Sequence, residues 1–354
     1  MADDGEATRA ALDHAPAHAA LVLGTSGSTS GTPRLVALTA EAVRASATAT
    51  HAALGGPLGW LLTLPAGHVA GVMVAARAHL GGTPLTHATP GPFRPATFAD
   101  DVARHRAALA DAGVTRSATS LVPTQLRRVL ADPRAREAAA TFDVVLVGGA
   151  ATPPALADEA RAAGVRVVTT YGMTETSGGC VYDGVPLPGV RVRITGDGLV
   201  ALAGPQLALG YLTPDGFEAF DGELVTADRG ILVSTAGGTR LRVLGRADDV
   251  VVTGGVNVDP AQVEAALTGV AGVEQACVVG LPEPEWGAVV AAALVLGPAP
   301  ARDTDAVVAT AQESVRATLG GAWVPRRVVV VDALPLRGPG KVDRRAVRDL
   351  LTGR

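Results

Sequence analysis

Val144-Val145-Leu146-Val147-Gly148-Gly149-Ala150-Ala151-Thr152-Pro153, with the Ala/Arg-rich run that continues to Ala163 and the apolar run Val165–Thr169, decides how this chain folds. Four consecutive aliphatic residues with no polar alternation predict a strand covered on both faces. The two glycines supply a tight turn, and Pro153 suits the first turn of a helix. A strand, a turn, a helical run and a second short apolar run make one unit of a layered α/β domain with parallel strands.

The same rhythm extends outward from this unit. From Ala19 to about Gly172, short apolar runs (Leu21–Gly24, Trp60–Leu64, Ser120–Val122) alternate with stretches of helical spacing (Thr39–Leu54, Val69–Leu80, Thr97–Ala110). Between about Val190 and Val252 the pattern becomes brief strand-like segments separated by Gly, Asp and Pro: Val190–Ile194, Leu199–Ala203, Leu224–Thr226, Ile231–Val233 and Arg240–Leu244. These predict a small antiparallel β subdomain. Beyond Gly245-Arg246-Ala247-Asp248-Asp249 the reading is α+β, with helices at Pro260–Leu267, Thr304–Leu319 and from about Asp343, and strands at Val273–Val279, Ala288–Leu296 and Arg327–Val331. Residues 298–302 and Leu336–Gly340 read as loops. The expected division is a large α/β domain over 1–246 and a small α+β domain over 247–354.

Composition narrows the function classes. The chain has 354 residues, 48% of them hydrophobic and 18% charged, which is enough apolar material for a large core. A net charge of -4 without basic clusters argues against nucleic acid and anionic membrane surfaces and for small-molecule chemistry. The two cysteines, Cys180 and Cys277, lie far apart without Cys or His neighbours, so they suggest neither disulfides nor zinc. Acids at Asp3, Asp4 and Glu6 stand where a secretory signal carries basic residues, and no apolar run is long enough to span a bilayer, so the cytoplasm is expected.

Thr25-Ser26-Gly27-Ser28-Thr29-Ser30-Gly31-Thr32-Pro33-Arg34 follows a strand-like run and precedes a helix-like one. Glycines let backbone N–H groups approach phosphate oxygens, hydroxyls add donors, and Arg34 offsets charge. A flexible Ser/Gly linker has the same composition. No G-x-x-x-x-G-K-S/T string occurs, so this is not a Walker loop.

This loop resembles that of the adenylate-forming enzymes, which include acyl- and aryl-CoA ligases, luciferases and nonribosomal adenylation domains. Their loop reads T-S-G-S/T-T-G-x-P-K. Here there is one extra residue, and Arg34 replaces a lysine, keeping its charge without the same reach. Thr170-Tyr171-Gly172-Met173-Thr174-Glu175-Thr176 resembles the family's Y-G-x-T-E signature without a mismatch. Thr226-Ala227-Asp228 stands for T-G-D, Gly245–Asp249 with Thr253-Gly254-Gly255-Val256-Asn257 for G-R-x-D-D…G-G-x-N, and Leu334–Arg344 for the P-x-x-x-x-G-K-x-x-R pattern around Lys341.

The resemblance implies a large core domain, shortened relative to most relatives, and a mobile small domain, with ATP, Mg²⁺ and coenzyme A as cofactors. It implies two half-reactions: a carboxylate displaces pyrophosphate from ATP to give acyl-AMP, and the thiol of coenzyme A then displaces AMP. It places ATP on Thr25, Ser26, Gly27, Ser28, Thr29, Gly31, Thr32, Arg34, the Gly148-Gly149-Ala150 backbone, Tyr171, Gly172 and Met173, with Asp228 on the ribose and Arg246 on the ribose or a phosphate. Thr174 offers a hydroxyl to the α-phosphate, Glu175 a carboxylate to Mg²⁺, and Lys341 a cation between acid and α-phosphate. Asp248 is implied as the hinge, and Gly254 and Gly255 as lining of the thiol channel.

For the acid, Leu64-Pro65-Ala66-Gly67-His68-Val69-Ala70-Gly71 followed by Arg77 resembles a segment of the o-succinylbenzoate:CoA ligases of menaquinone synthesis. That implies an acyl pocket at His68, Gly149, Gly172 and Thr176, with Arg77 either pairing a second carboxylate or facing solvent. Cys180 is read as a pocket residue or a small buried hydrophobe, and His14, His18, His51, His79, His87 and His105 as surface or packing residues. The remaining options are another aryl- or acyl-CoA ligase, a carrier-loading adenylation domain, or a nucleotide-binding module with impaired catalysis. The expected partners are a small carboxylic acid, ATP and coenzyme A, with a homodimer left open and neither nucleic acid nor membrane insertion.

Overall fold

The computed structural model describes residues 2–25, 34–297, 304–337 and 340–353. The chain groups into two units, one of Met1–Thr195, Ala201–Thr226 and Leu232–Arg242, the other of Gly196–Val200, Ala227–Ile231 and Val243–Arg354.

The first unit is built on a seven-stranded sheet in the order Leu85–His87, Gly59–Leu62, Ser117–Leu121, Val144–Val147, Val167–Met173, Gly178–Tyr182, Val185–Pro186. The first five strands are parallel and the last two pairings antiparallel. Val144–Val147 is buried at every position because each face has its own core. Val145 and Val147 point into a cluster with Phe98, Leu126, Val129 and Leu156. Val144 and Leu146 join Trp60, Leu62, Val74 and Ala118 on the other side. Period-two side-chain direction thus turns an unbroken aliphatic run into two half-cores. Helices Ala40–Ala53 and Val69–Gly81 supply residues to one face, and Pro95–Asp111, Pro123–Ala131 and Pro154–Ala162 to the other.

In a parallel sheet all strand C-termini emerge at one edge, where loops can converge on a ligand. Here that edge carries the segment from Leu62 to His68, the turn Gly148-Gly149 and the extension of Val167–Met173.

Two expectations need correction. Leu21–Gly24 does not join the parallel layer; it pairs antiparallel with Leu35–Leu38, in a four-stranded sheet completed by Gly210–Thr213 and Gly216–Ala219. Residues 25–34 are too few for a parallel crossover, which takes a dozen or more, so the chain folds straight back. The Ser/Gly/Thr loop therefore links two antiparallel strands, and helix Ala40–Ala53 begins only after the second. Further on, Leu224–Thr226 and Ile231–Val233 are parts of one 13-residue strand, Glu223–Thr235, flanked in its sheet by Leu199–Ala203 and Gly238–Arg246.

The second unit contains a three-stranded sheet of Val273–Glu283, Gly287–Leu296 and Arg327–Val330. Alternation sorts its residues again: Val278, Val290, Ala292 and Leu294 pack with Val263, Leu267, Val307, Ala311 and Val315 of helices Pro260–Thr268 and Thr304–Leu319. Cys277, Val279, Ala291 and Ala293 pack with Val347 and Leu351 of helix Arg344–Thr352. Leu336–Gly340, expected as a loop, starts with a strand: Leu336–Arg337 pairs with Lys341–Val342 in a short ribbon. Among the described residues no helix is long and apolar enough to cross a membrane.

Candidate active site

The Gly148-Gly149 turn is forced by its neighbours. A Cβ at Gly148 would run into the hydroxyl and the carbonyl of Thr170, and Gly149 holds a left-handed φ of +80°. The N–H of Gly148 donates to Leu121 O at 3.2 Å, which fixes the turn to the preceding strand. Ala150 is exposed.

Beside it, the strand from Val167 runs through Tyr171 and Gly172 to Met173 and ends in a single 3₁₀ turn, Thr174–Thr176. A Cβ at Gly172 would sit 2.7 Å from Gly179 Cα, so the two strands approach more closely than any other residue allows. The turn clasps itself: Thr176 Oγ1 accepts from Met173 N–H at 3.0 Å and donates to Gly178 O at 2.8 Å. Thr176 is fully buried, and its hydroxyl is spent on the turn. Ser177 follows in the left-handed region at φ 51°, held by its own hydroxyl on Gln206 O (2.9 Å) and by Ser46 Oγ on its carbonyl (2.8 Å). Such over-determined strain is characteristic of functional turns.

The turn presents Thr174 and Glu175, both nearly buried. Glu175 accepts from Ala208 N–H at its carbonyl (2.8 Å), and its Oε1 accepts from the hydroxyl of Tyr211 (2.8 Å). The Arg34 guanidinium lies 4.2 Å from the centre of the Tyr211 ring, while Phe220 meets that ring edge-on at 4.9 Å. Burial first, then the Glu175 charge, pushes the Tyr211 phenol well above its usual range, so it remains a protonated donor. The sequence motifs missed Tyr211. Its only signal was scarcity, since it is one of three tyrosines in a chain with 3% aromatics.

Arg34 and Thr25 close the foot of the Ser/Gly/Thr loop. Thr25 N–H donates to Arg34 O (2.8 Å), and Arg34 N–H donates to Thr25 Oγ1 (3.0 Å). Ser26, Gly27, Ser28, Thr29, Gly31 and Thr32 lie outside the described residues.

Helix Val69–Gly81 and its N-cap carry two of the expected acyl-site residues, His68 and Arg77. His68 is its half-buried N-cap residue. Met73, one turn on, borders Gly178, where an added Cβ would lie 3.2 Å from its Cγ. Arg77, one further turn on, is 3% exposed, which excludes the solvent-facing reading. Its guanidinium sits over Trp60, 5.4 Å from the ring centre, and its buried Nε has no hydrogen-bond partner. Among the described residues no carboxylate pairs with it. Cys180 is a small buried hydrophobe whose thiol burial pushes up to about 12, so it is no nucleophile. His105 is fully buried and His51 half-buried, and each has a buried Nε2 without a partner.

In the second unit, Asp228 lies in the long strand and Arg246 at the end of Gly238–Arg246. Arg246 grips Asp248 through Nε (2.9 Å) and Nη2 (2.7 Å) and reaches Asp228 through Nη1 (3.3 Å). Burial works against its charge, but the Asp248 and Asp228 carboxylates outweigh that and hold its pKa above the usual value. Gly254 and Gly255, at φ +54° and +79°, turn the hairpin between Val251–Thr253 and Val256–Val258. Gly254 is pressed against the indole of Trp286, leaving no room for a Cβ. Lys341 pairs with Arg337 in the short ribbon, and Gly340 before it has φ +91°. Three residues on, Arg344 anchors the base of this arm to Glu264 (2.8 Å), Asp249 (3.2 Å) and Val278 O (2.6 Å).

The donor chemistry fits a hard divalent cation. Among the described residues no group of three or more His, Cys, Asp or Glu could hold a metal alone. A single carboxylate, Glu175, matches the way Mg²⁺ is bound by few protein ligands together with substrate phosphates.

The family model for AMP-binding enzymes matches residues 2–212, and that for the AMP-binding enzyme C-terminal domain matches residues 262–341. A Mycobacterium tuberculosis protein named as a probable 2-succinylbenzoate CoA ligase is 45% identical over 336 residues, covering 93% of this chain and 83% of its own. ATP-bound MatB from Rhodopseudomonas palustris superposes with a TM-score of 0.77 at 27% identity, over 94% of this chain and 68% of that one. The o-succinylbenzoate CoA synthetase MenE from Bacillus subtilis, in complex with the acyl-adenylate intermediate OSB-AMP, gives 0.73 at 27%, over 93% and 68%.

Proposed function

We propose, from the premise that this chain belongs to the AMP-binding enzyme family, that it is an ATP-dependent ligase joining o-succinylbenzoate to coenzyme A through an acyl-adenylate. The observation that carries the choice of acid is Arg77. A buried guanidinium without a carboxylate is costly, and a fold retains one where a ligand supplies the missing charge. o-Succinylbenzoate has two carboxylates, so one can be activated while the other meets Arg77. A monocarboxylate leaves that cation unanswered.

In the first half-reaction a carboxylate oxygen attacks the α-phosphorus of ATP, forming acyl-AMP and releasing pyrophosphate. In the second, the thiol sulfur attacks the acyl carbon, AMP leaves, and the thiol proton passes to solvent. Mg²⁺, when bound, neutralises charge on the phosphates, and Glu175 would hold it. The protein's contribution is mainly positioning and fixed charge. Thr25, Arg34 and the loop between them would cradle the phosphates. Thr174 would donate to the α-phosphate, and the Gly148–Ala150 backbone with Tyr171 would flank adenine. Asp228 and Arg246 would hold the ribose, with Lys341 serving adenylation and Gly254-Gly255 the thiol. His68 would border the acid.

We place the reaction in the cytoplasm and in menaquinone synthesis, the setting of the ligases the sequence resembles. Purified protein given o-succinylbenzoate, ATP, Mg²⁺ and coenzyme A should yield the CoA thioester and AMP in equal amounts by mass spectrometry. ADP as the product would refute an adenylate route, and no thioester would refute the ligase.

A further inference from the structure

Tyr211 belongs to none of the sequence motifs, yet it touches two charges that the proposed reaction uses. Strand register puts it there: Gly210–Thr213 pairs with Leu35–Leu38, Tyr211 opposite Val36, two residues beyond Arg34. Its hydroxyl donates to Glu175 Oε1 at 2.8 Å, and its ring carries the Arg34 guanidinium at 4.2 Å. The same segment holds the Glu175 main chain through Ala208 N–H at 2.8 Å. Phe220, edge-on at 4.9 Å, fixes the ring plane.

We propose that Tyr211 is a positioning residue that aims Glu175 at the metal and keeps Arg34 at the foot of the phosphate loop, so that cation and polyphosphate meet a preset pair of opposite charges. This rests on the reading of the protein as an Mg²⁺·ATP enzyme. A guanidinium and a carboxylate with nothing between them would pair directly and neutralise each other. Tyr211 engages each of them instead. Its face attracts the cation, and its hydroxyl gives the carboxylate one charge-assisted hydrogen bond. Among the described residues that hydroxyl is the sole side-chain partner of Glu175, so Oε2 is left to a ligand. The arrangement also links the loop to the acid: moving Arg34 disturbs the ring, and moving the ring releases Glu175.

Two substitutions separate the two functions of the side chain. Tyr211→Phe keeps the ring and removes the hydroxyl; Tyr211→Leu removes both. Mn²⁺ binding is followed by electron paramagnetic resonance in the presence of ATP, and metal-free ATP binding by calorimetry with EDTA. Tyr211→Phe should weaken Mn²⁺ about tenfold, the usual weight of a hydrogen bond to a charged group, while metal-free ATP binding stays within about twofold. Tyr211→Leu should weaken both. Wild-type Mn²⁺ affinity in Tyr211→Phe overturns the proposal, as does equal loss of metal-free ATP binding in the two variants. With only three tyrosines in the chain, ¹⁹F resonances of 3-fluorotyrosine protein give a readout free of mutation. The Tyr211 signal should shift when Mg²⁺ is added to the ATP complex, and a signal indifferent to Mg²⁺ counts against the proposal. Wild-type protein that binds no ATP at all would instead remove the underlying ligase reading.

Discussion

The Arg77 guanidinium lies over the Trp60 indole, 5.4 Å from the ring centre, on a side chain that is 3% exposed. Its buried Nε has no hydrogen-bond partner. The ring face offsets part of the cost of burying the charge but supplies no counter-ion. A site of this kind is destabilised when empty and satisfied when an anion arrives, so stability and recognition should respond to Arg77 in opposite directions.

Arg77→Met keeps the volume and removes the charge. The variant should be more stable than wild type by about 1 kcal/mol in urea unfolding, as replacements of buried charges by apolar groups often are. Its KM for o-succinylbenzoate should rise roughly a hundredfold, by the ~3 kcal/mol of a lost buried charge pair, with the KM for ATP unchanged. Lower stability together with an unchanged acid KM would assign Arg77 to packing alone.

Lys341→Ala should abolish acyl-AMP formation yet leave thioester formation from supplied acyl-AMP within about threefold, because a residue acting only in the first transition state affects only that step. Rapid-quench assays of each half-reaction decide this. Equal losses in both would show that Lys341 does more than promote adenylation.

Gly148→Ala places a methyl group against Thr170, whose hydroxyl and carbonyl occupy that space. The substitution should cost about 2–3 kcal/mol through overpacking. Adding Thr170→Ala should recover a measurable part, since the hydroxyl is the nearest obstacle. A double-mutant cycle with no coupling would mean the turn shifts as a whole instead.

His105 is fully buried, its Nδ1 2.8 Å from Thr86 Oγ1 and its ring 6.0 Å from that of Phe142. Burial lowers its pKa to about 4 from 6.5. The folded state therefore binds the proton less readily than the unfolded state. Its contribution is complete above pH 6.5 and is lost as pH falls through about 4. The span corresponds to about 3 kcal/mol at most. His105→Leu should flatten the fall in unfolding free energy between these pH values, and an unchanged slope would place the acid sensitivity elsewhere.

Elements set by local pattern are legible in the sequence. Val144–Val147 is apolar throughout because two cores need its two faces, and helix Thr304–Leu319 ends where its periodicity ends. Remote pairing is not legible there. Leu21–Gly24 looks like any buried strand, and nothing within a dozen residues reveals that Gly210–Thr213 completes its sheet. The turn at Thr174–Thr176 was visible because its glycines and hydroxyls are dictated by close approach. Tyr211 was invisible because its partners, Glu175 and Arg34, are 36 and 177 residues away, and no spacing rule spans such distances. Leu336–Gly340 was expected as a loop; two-residue strands are too brief for any periodicity to announce them.

ATP–pyrophosphate exchange across a panel of carboxylic acids separates o-succinylbenzoate from its rivals. Rapid exchange with o-succinylbenzoate, little or none with benzoate or a medium-chain fatty acid, and loss of that preference in Arg77→Met are the outcome expected of the o-succinylbenzoate assignment. Exchange with benzoate but none with o-succinylbenzoate would contradict it.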